Sequence, residues 1–217
     1  MSAPTTDRRL SLWGGGPWQD PTRLAEAREG AAEVEELGYS RLWFSGGFEP
    51  GILPAFGELL SATTTLGIAS GIVSIWTATP EQSAAAFAAF EDAYPGRFLL
   101  GLGNSHAPAV EGQGQAYERP FTRTAQYLDA LDAQEPAVPP ARRVLAALGP
   151  KMLELARART AGAHPYFATV EHTAAAREAL GPGPLLAPEV AVVLETDAAR
   201  ARSTARDYAA VYLALPN

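Results

Sequence analysis

Tyr94-Pro95-Gly96-Arg97-Phe98-Leu99-Leu100-Gly101-Leu102-Gly103 decides the fold. Pro95-Gly96 makes a tight turn, and the apolar run Phe98–Gly103 behind it is too short for a helix and reads as a buried strand. Upstream, Thr79-Pro80-Glu81-Gln82 has the form of a capping box with proline inside it, which opens an alanine-rich helix running to Tyr94. Downstream, a loop from about His106 to Pro120 precedes a helix at Phe121–Leu131. Helix, turn, buried strand, long loop and helix make one unit of an alternating α/β fold.

The same rhythm extends in both directions. Towards the N-terminus lie strands at Leu10–Trp13, Arg41–Ser45 and Leu66–Ile75, the last broken by Gly71. Between them, a helix starts at Asp20-Pro21 and stops at Gly38, and a second covers Pro54–Ala62. Towards the C-terminus, the spacing predicts strands at Val144–Leu148, Ala163–Phe167 and Val190–Leu194. Helices follow from Gly149-Pro150, Thr169 and Thr196 or Asp197. Pro136–Pro140 is a connector, since the rhythm resumes beyond it, and residues 1–217 read as one domain. Strands separated by helices must run parallel. An open doubly wound sheet and a closed barrel both satisfy this, but no G-x-G-x-x-G follows the first strand, which favours the barrel. Seven strands are one short of eight, so the reading is an incomplete (β/α)8 barrel.

Composition narrows the function. Of 217 residues, 47% are apolar, which supports a sizeable core, and there is no cysteine for disulfides or thiolate metal sites. The net charge of −7 disfavours nucleic acid and anionic membrane surfaces. The polar N-terminus lacks a signal-like apolar run, and the expectation is a cytoplasmic protein.

In a parallel barrel, ligands bind on the loops after the strands. There, Gly149-Pro150-Lys151-Met152 sets a helix N-terminus beside an ammonium, a natural phosphate seat, although Gly-Pro also simply starts helices. Ser70-Gly71-Ile72 marks either a bulge or a packing glycine. After Gly103, Asn104 and Ser105 can bond a ring edge or phosphate. His106 is the candidate catalytic donor to a substrate or ring carbonyl, with a solvated histidine as its alternative. Trp76, His164 and Tyr166 are candidates for the substrate pocket, with a satisfied core histidine as the other reading of His164. His172 reads as surface, Arg142 and Arg143 as solvated at the opposite barrel end, and three scattered histidines predict no metal site.

Residues 94–103, Val144–Leu148 running into Gly149–Leu153, and Ser70-Gly71-Ile72 resemble, in order, signatures of the luciferase-like monooxygenase superfamily. The similarity runs nearly the whole chain and is nearest to the probable F420-dependent oxidoreductases of actinobacterial type. The resemblance implies a (β/α)8 barrel whose helical insertion and eighth strand fall beyond Asn217, and a homodimer. It also implies F420, or alternatively FMN, as cofactor and a small-molecule substrate. The Gly149–Met152 loop would hold the cofactor phosphate, and a cis peptide at the third-strand bulge would support the ring. One departure stands out: Gly46-Gly47-Phe48 replaces an acidic residue and a histidine carried by many deazaflavin-dependent relatives. A non-catalytic barrel acting as a binding module is therefore the third reading.

Overall fold

The computed structural model describes residues 10–14, 20–44 and 52–215. In chain order the elements are β1 (Leu12–Gly14), α1 (Leu24–Glu36), β2 (Arg41–Phe44), α2 (Ile52–Ser61), β3 (Gly67–Ser70) and β4 (Val73–Ser74). There follow α3 (Pro80–Ala93), β5 (Phe98–Gly103), α4 (Ala107–Glu111), α5 (Pro120–Asp132), β6 (Arg143–Leu145) and α6 (Pro150–Arg159). The last are β7 (Gly162–Ala163), α7 (Val170–Leu180), β8 (Leu185–Leu186) and α8 (Ala198–Leu213). All strand pairs are parallel, in the order β1-β2-β3-β5-β6-β7-β8, with β4 pairing β5. Because β3 and β4 are halves of one broken strand, the curled sheet has seven strand positions and forms a half-barrel with β1 and β8 at its open edges.

The break has a register. Ala69 pairs with Leu99 and Val73 with Leu102, so four steps on one side match three on the other. One residue is therefore extra, which is a β-bulge. The Ser70 hydroxyl repairs the gap by accepting from the Gly101 amide (2.8 Å) and donating to the Gly101 carbonyl (3.0 Å). Gly101 and Gly103 make room for it. A Cβ on Gly101 would sit 1.9 Å from the Ser70 carbonyl oxygen, and one on Gly103 would sit 2.9 Å from Ile72 and Ala146.

Side chains alternate between two layers. Leu42, Phe44, Ile68, Phe98, Leu100 and Leu145 face the helices and join the main core, while Trp43, Ala69, Leu99 and Val144 pack inside the curl. The capping box of α3 is formed as read, with both the Thr79 and the Gln82 bonds present. At the N-terminal ends of the strands, the Glu35 carboxylate accepts the amides of Thr64, Thr65 and Leu66. Arg97 donates to the carbonyls of Leu60 (2.9 Å) and Thr63 (3.0 Å).

Two expectations need correction. Arg143 is not solvated: it is fully buried, donates to the Val138 and Arg159 carbonyls and pairs with Asp132 at 2.6 Å. Strand alternation turns it outwards from the curl, under α5 and α6, because Val144 takes the inner face. Nor do Val190–Leu194 form the seventh strand. Leu185–Leu186 take that place, with Leu185 and Ala187 amides bonded to the Ala161 and Ala163 carbonyls. The valine-rich run beyond lies exposed, Leu194 at 99%. Among the described residues, no helix is long and apolar enough to cross a membrane.

Candidate active site

At the C-terminal ends of the strands the half-barrel holds a cleft of about 1200 Å³. The loop after β5 and the loop after β6 reach it from two neighbouring strands. Asn104, Ser105 and His106 line it, as do Gly149, Pro150, Lys151 and Met152. Gly71 and Ile72 contribute the bulge, and the peptide between them is cis. His164 and Tyr166 close the side towards β7.

The Gly149 loop is an uncapped helix N-terminus. Gly149 is the N-cap without a side-chain cap, and Pro150 brings no amide. The Met152 amide donates to the Gly149 carbonyl at 3.0 Å, closing the first turn. The donors left without a partner among the described residues are the Gly149 and Lys151 amides and the Lys151 ammonium. A Cβ on Gly149 would meet nothing within 4 Å, so the loop opens onto free space that a phosphate can fill. Behind it, His172 is half-buried rather than a surface residue, and its Nε2–H donates to the Leu148 carbonyl at 2.9 Å. Thr169, the N-cap of α7, accepts the His172 amide and so fixes the ring that holds the loop.

Asn104 is oriented by Thr124. The buried Thr124 hydroxyl shares its proton between the Pro120 carbonyl (2.9 Å) and Asn104 Oδ1 (3.0 Å), which leaves the Asn104 amide nitrogen as a donor. Ser105 takes a left-handed backbone with φ 56, as does Phe167 with φ 50, and both line the cleft. Each such non-glycine conformation costs about 1 kcal/mol or more, and such residues concentrate at functional sites. His106 is exposed at the N-terminus of α4.

His164 is the most constrained polar group. It is 4% exposed and stacks on Trp43 with centroids 4.2 Å apart. Its Nδ1–H donates to the Ala187 carbonyl at 2.7 Å, which assigns Nε2 as an acceptor 3.2 Å from where a Cβ on Gly71 would sit. Burial pushes the imidazole pKa down, against the smaller opposing effect of the Ala187 bond, so the ring is held neutral.

Three sequence candidates stand elsewhere. Ser70 and Gly103 lie beneath the cleft and shape the bulge. Trp76, expected in the pocket wall, is turned into a neighbouring hollow: Ser74 Oγ holds its amide, Gln115 holds its carbonyl, and its ring packs under Arg123. Gly46, Gly47 and Phe48 lie outside the described residues. Phe167, Tyr212 and Leu215 also line the cleft, with Phe167 stacked on Tyr212 at 5.1 Å and Tyr166 bonded to Tyr208 at 2.6 Å. Sequence reasoning missed Tyr212, because only the return of α8 over the rim brings it there. Among the described residues no cluster of potential ligands could hold a metal.

A parallel α/β half-barrel with a cleft on its C-terminal rim, one side an open helix N-terminus and the other a bulge, defines the class as a fold of the α/β-barrel type with a small-molecule-sized cleft. The family model described as luciferase-like monooxygenase matches residues 9–215, and the chain belongs to that family. No curated relative matches the sequence.

Solved structures share the fold. An F420-dependent secondary alcohol dehydrogenase in complex with an F420–acetone adduct matches with TM-score 0.60 and 17% identity, over 80% of this chain and 65% of that one. Monooxygenase RslO1 from Streptomyces bottropensis gives 0.67 and 17%, over 90% and 75%. The oxygenating constituent of 3,6-diketocamphane monooxygenase from Pseudomonas putida, in complex with FMN, gives 0.59 and 10%, over 80% and 62%. This chain thus spans less than two thirds of the first and third. At such identities the likeness concerns the fold alone.

Proposed function

We propose that the protein is an F420-dependent oxidoreductase acting on a small organic substrate, with the Gly149–Met152 loop as the seat of the cofactor phosphate. The observation that carries this is the meeting of two loops in one cleft. Gly149 and Lys151 offer amides and an ammonium without partners among the described residues, while Asn104, Ser105 and His106 offer polar groups to the edge of a planar ring. The cleft volume is ample for a tricyclic ring with its phosphate.

Hydride transfer is the chemistry such a ring supplies when bound. The protein binds and orients. Lys151 and the α6 N-terminus fix the phosphate, Ile72 and Gly71 support the ring, and Asn104 fixes its edge. His106 is the proposed catalytic donor to a substrate or ring carbonyl. His164, neutral and rigid, presents Nε2 beside the bulge. Tyr166 forms the substrate wall. The proposal includes a single domain and a homodimer in the cytoplasm; sedimentation velocity at micromolar concentration tests the dimer.

FMN also carries a phosphate on a ribityl arm and a ring of similar size, and one neighbour in fold was solved with it. Parallel calorimetric titrations with F420 and FMN separate the two. Micromolar binding of F420 with weaker FMN binding supports the reading, tight FMN binding alone favours the flavin alternative, and no binding of either overturns both.

A further inference from the structure

A second hollow, of about 580 Å³, lies between Trp76, residues 115–119 and the first turns of α5. It shares a wall with the cleft, because Tyr117 lines the cleft and packs against Trp76 with ring centroids 5.3 Å apart. The two hollows differ in chemistry: this one is lined mainly by polar side chains, among them Arg119 and Arg123.

Neither guanidinium has an acceptor among the described residues, although other arginines on the body, such as Arg28, Arg142 and Arg159, hold carboxylates. Arg123 is not loose, however. Its Cζ lies 4.2 Å over the ring of Trp76, which is 5% exposed and fixed at both its amide and its carbonyl. The cation–π contact anchors the guanidinium against the ring, and its N–H donors stay without an acceptor among the described residues; a guanidinium can grip an oxyanion with two parallel bonds. Arg119 has φ 47 and ψ 53, a left-handed backbone set just before Pro120, which disfavours the ordinary helical conformation for its predecessor.

Arg119 is also the N-cap of the 13-residue helix α5 and gives it no side-chain cap. The Arg123 amide bonds the Arg119 carbonyl at 3.0 Å, whereas the Phe121 and Thr122 amides have no acceptor among the described residues. Among the described residues that line the hollow, Glu118 is the single carboxylate against two arginines, on a chain whose net charge is −7.

We propose that this hollow is an oxyanion site, separate from the cofactor cleft. It takes a phosphate or carboxylate group between the guanidinium edges of Arg119 and Arg123, with the open amides of α5 behind them. The cation pair is local on an acidic protein, so the site selects an anion by geometry and not by a general field.

Calorimetric titration of the full chain with inorganic phosphate and, separately, with malonate at constant ionic strength tests this. The titrations are run in a Lys151→Ala background so that the cleft's own cation is absent. One saturable site is expected, weakened about tenfold or more by Arg119→Gln and by Arg123→Gln, since each removes a charge-assisted bond. Tryptophan fluorescence should change on binding, and Trp76→Phe should abolish that change. Both arginines are exposed, so these variants keep the fold. A preference for phosphate or for malonate assigns the group; either supports the site. No saturable binding, or binding that both arginine variants leave intact, overturns it. Loss of the cleft's phosphate seat through Lys151→Ala leaves this result untouched, so the two readings fail separately.

Discussion

Gly101 shows how one missing side chain holds up the whole rim. Its Cα faces the Ser70 carbonyl so closely that a methyl group there would overlap it, and the bulge depends on that contact. Gly101→Ala is expected to lower stability by about 3 kcal/mol, readable as a shift in a urea unfolding midpoint; an unchanged midpoint would show that the bulge relaxes freely. His172 gives a second residue-scale prediction. Removing its bond to the Leu148 carbonyl in His172→Ala should weaken ligand binding at the Gly149 loop several-fold while leaving Arg119 and Arg123 unaffected, as titration of the variant would show. The sequence already displayed Gly149–Met152, Asn104–His106 and the Gly71 break, because each rests on local backbone chemistry. It could not display His172 holding Leu148, Thr124 holding Asn104 or the turning of Trp76 under Arg123. Those contacts join residues 20 to 47 positions apart, and periodicity carries no information about them.

Among elements, α8 is held differently from the rest. None of its residues is buried, and it meets the rim through Tyr208 and Tyr212 on Tyr166 and Phe167. Beside this latch, burial pushes the Glu189 carboxyl up to about 7, and one of its oxygens has no partner among the described residues. A carboxyl raised in the folded state favours folding in its protonated form. The latch is therefore firmest below pH 4.5 and loosens as pH climbs towards 7. The protection of amides 198–213 relative to their intrinsic exchange rate should fall over that interval in the native protein and stay constant in Glu189→Gln; equal pH dependence of protection in both would refute this role. Element boundaries were read well where the local signal was strong, as in the Thr79 capping box, and poorly near β8. There Val190–Leu194 carry β-propensity but no pairing, whereas Leu185–Leu186 sit in register beside β7. Propensity without a partner strand does not make a strand.

For the whole molecule, the alternating rhythm fixed a parallel sheet, and the structure curls it into a half-barrel whose charged network lies at the end away from the cleft. Glu35 ties α1 to the 64–66 turn. Desolvation alone would raise its carboxyl, yet the amides of Thr65, Thr64 and Leu66 hold it at about 2. Its contribution to stability is present above the ordinary value of 4.5 and disappears as pH falls towards 2. Melting temperature should drop across that window, and Glu35→Gln should flatten the drop; a parallel loss in the variant would place acid sensitivity elsewhere.

In the proposed function, the α6 N-terminus and Lys151 receive the phosphate of a ring-bearing cofactor. The direct measurement is the affinity of the protein for F420 against the same ring lacking its phosphate, in native protein and in Lys151→Ala. The account predicts that native protein prefers the phosphorylated form by about tenfold or more, and that Lys151→Ala removes most of that preference while the bare ring binds as before. Equal affinity for both forms in the native protein, or a preference that survives Lys151→Ala unchanged, would contradict it.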